Sequence, residues 1–232
     1  MSLADDIGLL RDRTLDELAS VFDYYEGSQL AWDLLCHDIA TGRTLALQQY
    51  RSGRAVVSSA LLQNSNLYLE RYLIESSFLK FIAIAEAYFT DLLRAWLTAH
   101  PRSMLAKKIE SRVVIEAPSR EVAVATIVEH EVNEVAYRSP RDWFAHLDKL
   151  VKFGGPSEDD VSSYADAKAV RDILVHNSGL VSPTFVAKVR GPYPLQFPLG
   201  HRVELTELYH QDVWDLLRRI VAETAEAVRT RA

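Results

Sequence analysis

Four polar side chains lie close together near the end of a helix that the sequence otherwise predicts to be packed: Arg171, Asp172, His176 and Asn177. An arginine and a histidine are a minimal pair for handling phosphate, because a guanidinium holds phosphate oxygens bidentately and an imidazole transfers protons near neutral pH. Cleavage of a ribose phosphodiester by its own 2′-hydroxyl needs these two groups and an acid for the leaving oxygen. A second copy of the pair across a two-fold axis would supply that acid.

The helix that carries these residues is predicted from both of its ends. Ser157 is a good N-cap followed by three acidic residues, and a glycine comes two residues after Asn177. At about 100° per residue, Asp172 and His176 share a face of this helix, and Arg171 flanks it. A structural interpretation stands beside the catalytic one: Asp172 and His176 form a pair on the helix face, Arg171 is solvated, and Asn177 is a C-cap.

Residues 171–179, which read Arg-Asp-x-x-x-His-Asn-x-Gly, resemble the signature of the HEPN superfamily (higher eukaryotes and prokaryotes nucleotide-binding domain). Residues 84–93 are similar to the long helix that carries an acidic residue in these proteins. Residues 200–205 and the helix after them resemble the tail of the prokaryotic branch. The resemblance implies an all-α bundle that dimerises and, in its active members, cuts RNA without a metal.

Carried over residue by residue, the resemblance implies that Arg171 and His176 are catalytic and that Asp172 is the supporting polar residue. Asn177 is a second candidate for orienting the pair, and Glu86 is a weaker candidate on the upstream helix. One departure concerns Asp172, which stands where asparagine is common in the family. Its charge would raise the basicity of His176 and would oppose an incoming phosphate.

Two hypotheses about function follow. The first is a metal-independent endoribonuclease of HEPN type that acts on RNA as a homodimer, a class that often serves as toxins or antiviral effectors and has an antitoxin or another protein as partner. The second is a non-catalytic HEPN-like helical module that binds a protein partner or a nucleotide. A generic helical bundle with an accidental motif is a third interpretation.

Composition sets the class of protein. The chain has 232 residues, is 48% hydrophobic and carries a net charge of −6, so RNA binding would need a local basic patch. A single cysteine, Cys36, cannot form an internal disulfide, which fits a reducing cytoplasm. Charged residues interrupt the most apolar run, 78–97, which is therefore predicted to be a bundle helix and not a membrane span.

His130 and Glu134 lack an evident third ligand, so we expect no metal and no cofactor.

Apolar periodicity predicts helices throughout most of the chain. Helices over 3–27 and 28–51 and a connection over 53–66 form the expected N-terminal helical extension, residues 1–65, which is alternatively a dimerisation arm. The HEPN-like bundle is expected over 66–232. It begins with a long helix over 66–100 and ends with a helix over 206–231. Between 180 and 205 we expect a short irregular loop or hairpin, in which five residues could stack a base and meet its phosphate or could simply pack and be solvated: Lys188, Arg190, Tyr193, Phe197 and Arg202.

Overall fold

The computed structural model describes residues 2–43, 53, 58–104, 111–152, 154–189 and 198–232. Within these ranges the fold is all-α, as predicted, and contains no β-strand beyond one isolated bridge. The α-helices are α1 (Leu3–Ala40), α2 (Ser58–Leu67), α3 (Ile74–Ala99), α4 (Ser111–Ile115), α5 (Arg120–Ala136), α6 (Pro140–Val151), α7 (Glu158–His176), α8 (Pro183–Lys188) and α9 (Glu207–Arg229). A π-helical segment, Tyr68–Leu73, joins α2 to α3, and a 3₁₀ turn, Pro101–Met104, follows α3.

The α3 helix forms the centre of the bundle, with α1, α5, α7 and α9 packed against it. Its apolar stripe is almost fully buried, with Phe78, Phe81 and Ile82 at 0% exposure. Burial of each such side chain contributes about 1.5–3 kcal/mol. The α3 helix is therefore the rigid support against which α7 and its polar residues are held.

The first helix differs from the prediction, because α1 continues through Gly27 to Ala40 where a break between two helices was expected. A glycine inside a helix costs only about 1 kcal/mol relative to alanine. Tertiary contacts on both sides of Gly27 offset that cost: Tyr25 is buried, and Gln29 donates hydrogen bonds to the Tyr25 hydroxyl and to Glu207 of α9, each at 2.8 Å.

The α1 helix packs on α3 and α9 and contributes Ile7, Leu18 and Tyr25 to the same core as the rest of the bundle. The division into an extension over 1–65 and a bundle over 66–232 stays a prediction.

The helix predicted to begin at residue 66 begins at Ser58, so the expected connection over 53–66 is wrong from residue 58 onward. The serines and asparagines that suggested a loop are satisfied inside the helix. Asn64 donates to the Ala60 carbonyl at 2.8 Å, and Ser65 donates to the Leu62 carbonyl at 2.8 Å. Polar side chains of this kind can bond to the backbone one turn earlier and remain helical.

The segment before the last helix contains α8 where a short irregular loop or hairpin was expected. Ser182 caps α8 by accepting from the Phe185 backbone N–H at 3.2 Å, and Pro183 occupies the first helical position. The pairing that remains is one antiparallel bridge between Leu180 and Arg202. None of the described helices is long and apolar enough to cross a membrane.

Candidate functional site

The α7 helix has the ends that the sequence predicted. The Ser157 hydroxyl accepts from the Asp160 backbone N–H at 3.1 Å, and the helix ends at His176 with Asn177 as its C-cap. Asp160 also accepts from Arg219 of α9 at 2.6 Å, which fastens the start of α7 to the bundle. One face of α7 is buried, so the polar residues at its C-terminal end are directed away from the core.

Arg171 is held by two carboxylates. Its Nη1 donates to Asp172 Oδ1 at 2.9 Å, and its Nη2 lies 3.9 Å from Oε2 of Glu86 on α3. Glu86 also accepts a short hydrogen bond from Lys168, one turn earlier on α7. The structure therefore brings together three of the five residues proposed from the sequence, Arg171, Asp172 and Glu86, and adds Lys168 to them.

Tyr164 lies beneath these charges at 4% exposure. Burial raises the pKa of the Tyr164 phenol well above its usual value, and the nearby carboxylates of Glu86 and Asp172 raise it further, while Arg171 acts in the opposite direction. The phenol is accordingly neutral under ordinary conditions, and the two carboxylates contribute negative potential to this part of α7.

His176 and Asn177 lie at the exposed end of α7, apart from this network. Within the described residues, no hydrogen bond or ion pair joins His176 to Asp172 or to Arg171, and the Asp172 carboxylate contacts Arg171 instead. The Asn177 side chain donates to the Leu180 carbonyl at 2.6 Å and so stabilises the turn after the helix. The imidazole of His176 is exposed to solvent and accessible to a ligand.

The turn after α7 is fixed by Arg202. This side chain donates to both oxygens of Glu75 on α3, at 2.7 and 2.8 Å, and makes a short hydrogen bond to the Ser178 carbonyl. Gly179 has a φ of +77°, and a Cβ there would come within 3.0 Å of the Arg202 guanidinium carbon. Arg202 therefore stabilises this turn. These contacts agree with the packing interpretation of the sequence more than with the interpretation that Arg202 contacts a nucleic acid.

A cavity of about 580 Å³ adjoins α7 on the side of Lys168 and Asp172. Its other walls come from the segment 137–141 and from α8. We call it the basic groove and define it by six lining residues: Tyr137, Arg138, Arg141, Lys168, Asp172 and Lys188. A smaller cavity of about 180 Å³, lined by Glu86 and Tyr164, shares Arg138 and Lys168 with it. The basic groove and the Glu86–Arg171 network are thus neighbouring parts of one surface.

Sequence reasoning missed Arg138, Arg141 and Lys168 as members of this surface. Lys168 had a local signal, since it lies four residues before Asp172 and shares its helix face. Arg138 and Arg141 had none, because they join the groove only through the packing of α6 against α7. Lys188 was named as a candidate for meeting a phosphate and lines the groove, whereas Arg190, Tyr193 and Phe197 lie outside the described residues.

His130 and Glu134, which the sequence analysis considered and rejected as metal ligands, are exposed on α5. The distance between His130 Nδ1 and Glu134 Oε1 is 4.0 Å. In the part of the chain that the structure describes, no three side chains of His, Cys, Asp or Glu converge to hold a metal ion.

Comparison with protein-family models, with characterised proteins and with solved structures found nothing that matches this chain. Membership of the HEPN superfamily is therefore a hypothesis that depends on residues 171–179 and on their surroundings.

Proposed function

We propose that this protein is a metal-independent endoribonuclease of HEPN type that works as a homodimer. In this proposal His176 transfers protons, Arg171 holds the scissile phosphate, Asp172 orients Arg171, and Asn177 stabilises the turn that follows His176. Glu86 positions Arg171 from the opposite helix. A toxin or antiviral role, with an antitoxin or another protein as partner, is what the resemblance suggests for such an enzyme.

The observation that carries the proposal is the contrast between Arg171 and His176. The guanidinium is hydrogen-bonded to Asp172 and lies 3.9 Å from Glu86, at 27% side-chain exposure, while the imidazole, five residues later, is exposed and unbonded within the described residues. A fixed cation supports electrostatic stabilisation of a phosphorane-like transition state, and an accessible imidazole supports proton transfer.

The reaction needs no metal and no water in its first step. An imidazole removes the proton of the ribose 2′-hydroxyl, the 2′-oxygen bonds to phosphorus, and the bond from phosphorus to the 5′-oxygen breaks. The histidine of the second copy gives a proton to the leaving 5′-oxygen. The products are a 2′,3′-cyclic phosphate and a 5′-hydroxyl, which together identify this chemistry.

The non-catalytic module remains the second candidate, and one observation favours it. Arg171 already faces two carboxylates, so much of its charge is neutralised before any phosphate arrives. A domain that binds a protein partner or a nucleotide would tolerate this arrangement, whereas a nuclease must let the phosphate compete with Glu86 and Asp172 for the guanidinium.

The deciding experiment is RNA cleavage in EDTA by the wild type and by His176→Ala, Arg171→Ala and Arg171→Lys. Arg94→Ala is a matched control, because Arg94 on α3 is likewise held by two carboxylates, Asp91 and Glu129. His130→Ala is the control for an exposed histidine. Folding of each variant is checked by circular dichroism and thermal unfolding.

The proposal predicts cleavage that survives EDTA, leaves 2′,3′-cyclic phosphate ends, and is lost in His176→Ala and Arg171→Ala but kept in both controls. Arg171→Lys retains the charge but not the bidentate geometry, and we expect it to be strongly impaired. Cleavage that is unchanged in the motif variants would refute the assignment. Intact RNA with a folded wild type would favour the binding module.

A further inference from the structure

The basic groove concentrates positive charge in an acidic protein. Of the fifteen residues that line this cavity, four are cationic, one is a carboxylate and the rest are uncharged, whereas the whole chain carries −6. Like charges that converge on one cavity repel one another, and this arrangement favours occupation by an anion. The groove therefore has the positive charge that a phosphate-bearing ligand requires, although the chain as a whole is negatively charged.

Most of this charge is not compensated by carboxylates. Arg138 contacts the imidazole of His146 at 3.5 Å, and Arg141 donates to the Ser162 hydroxyl at 2.8 Å. Lys188 is exposed at the end of α8. Among the described residues, Lys168 is the one groove cation with a carboxylate partner, Glu86. Elsewhere in the fold, by contrast, Arg94, Arg202 and Arg219 are each paired with a carboxylate.

Arg138 is also held in position. The His146 ring, in the middle of α6, lies with its Nδ1 toward Arg138 and its Nε2 3.1 Å from Oε1 of the buried Glu131 on α5. The guanidinium is thus oriented before a ligand binds, which lowers the entropic cost of binding.

An exposed aromatic ring stands at the edge of the groove. Tyr137, the C-cap of α5, is 92% exposed, which leaves both faces of its ring accessible. An aromatic ring beside several cations is the combination by which proteins bind single-stranded nucleic acids, since bases stack on the ring and phosphates pair with the cations.

We infer that the basic groove binds a single-stranded segment of the RNA substrate beside the cleavage site, with Arg138, Arg141 and Lys188 on its phosphates and Tyr137 stacked on a base. The inference rests on the proposed function, because it takes RNA as the ligand. Asp172 lines the groove, and His176 follows it by one four-residue step, about 6 Å along α7. A strand in the groove would therefore pass directly to the exposed imidazole.

The test measures binding separately from cleavage. A fluorescent single-stranded RNA with 2′-O-methyl groups at every position cannot be cleaved, because it has no free 2′-hydroxyl, and its Kd is measured by anisotropy. The variants are Tyr137→Ala, Lys188→Ala and the double variant Arg138→Ala/Arg141→Ala. There are two controls. Tyr24→Ala changes another exposed tyrosine, and Arg13→Ala/Arg43→Ala changes two exposed arginines, one on α1 and one just after it.

We expect Tyr137→Ala to raise Kd by about 5- to 150-fold, the loss of one stacked base. The double arginine variant should also raise Kd and should reduce the slope of log Kd against log salt by about 1.4, for two lost phosphate contacts. Both effects should be absent from the controls. Tyr137 and Lys188 are exposed, so their single variants report on binding even if the double variant is less stable.

Kd values unaffected by the Tyr137 and Lys188 variants would overturn the inference, as would equal losses in the controls. Competition by ATP as effective as competition by the oligonucleotide would also overturn it, in favour of a nucleotide ligand. These outcomes are independent of the cleavage assay. Groove-dependent binding without cleavage would defeat only the enzyme proposal, and His176-dependent cleavage with a groove-independent Kd would defeat only this inference.

Discussion

The buried histidine of α9 makes the stability of the fold depend on pH. His210 is 0% exposed and lies among the rings of Phe22, Tyr25 and Phe81, with its Nε2 2.8 Å from the Ser77 hydroxyl. Its Nδ1 is buried and has no partner in the described part of the chain. Protonation would place an unpaired N–H and a charge in this apolar site. Burial accordingly lowers the pKa of His210 to about 4 from its ordinary 6.5.

The magnitude follows from proton linkage. Because the folded-state pKa is depressed, the unfolded chain binds the proton first as the pH falls, and stability is lost between the unfolded and folded pKa values. With pKa values of 6.5 and about 4, lowering the pH from 7 to 4.5 removes about 2 kcal/mol of unfolding free energy through this one residue. Above pH 7 the contribution of His210 is constant.

The assay is urea unfolding of the wild type and of His210→Leu, followed by circular dichroism at pH 7 and at pH 4.5. Leucine fills the site without titrating, and the Ser77 hydroxyl keeps the Leu73 carbonyl as an acceptor at 2.9 Å. Other acidic groups titrate equally in both proteins and cancel in the comparison. The loss of stability between the two pH values should be about 2 kcal/mol smaller in the variant.

Equal pH dependence in the two proteins would refute this reasoning, since it would mean that His210 is protonated as readily in the folded state as in the unfolded state. The result also bears on function. A pH–rate profile for cleavage must separate effects on the chemical step from loss of the fold at acid pH, and His210→Leu provides a protein in which the second effect is reduced.

Three further predictions concern the residues around the motif. Gly179→Ala should lower the unfolding free energy by about 1–2 kcal/mol, because alanine is strained at a φ of +77° and its Cβ would crowd Arg202; an unchanged urea midpoint would contradict this. Asp172→Asn should lower KM for RNA by about 5-fold, because it removes the repulsion between this carboxylate and a phosphate. Two unit charges 4 Å apart in water repel by about 1 kcal/mol, which corresponds to that factor, and a raised KM in steady-state cleavage would contradict the prediction. Glu86→Gln should reduce single-turnover cleavage by about 10- to 100-fold through misplacement of Arg171, with a change of about 1 kcal/mol or less in stability, and unaltered cleavage would show that Glu86 has no positioning role.

The features that the sequence predicted well are those set by local chemistry. The bounds of α7 follow from the Ser157 cap and from Asn177 with the glycine beyond it, and the structure places them there. The expected break after Gly27 was wrong because a local signal worth about 1 kcal/mol was outweighed by packing of α1 against α9. Ser182 and Pro183 carried a helix-start signal, which the apolar run after them obscured.

The candidate site was predictable only in part, because contacts between distant segments of the chain leave no local signal in the sequence. Arg171, Asp172 and His176 belong to one motif, but the contact of Arg171 with Glu86 joins positions 85 residues apart and depends on the packing of α3 against α7. The position of Asp172 and His176 on one helix face was inferred from periodicity, yet the Asp172 carboxylate bonds the adjacent Arg171. Periodicity gives the face of a helix and not the partner that a side chain takes on it.

Glu86 is the residue at which the basic groove and the motif meet. From α3 it accepts a hydrogen bond from Lys168 of α7, which lines the groove, and it pairs with Arg171, also of α7. A phosphate that enters the groove competes with Glu86 for Lys168, so RNA binding and the environment of Arg171 are physically coupled through this one carboxylate. Loss of Glu86 should consequently alter both Kd and cleavage, whereas loss of Lys188, which has no contact with Glu86 in the described structure, should alter Kd alone. That difference separates a residue that positions the catalytic guanidinium from one that only holds the strand.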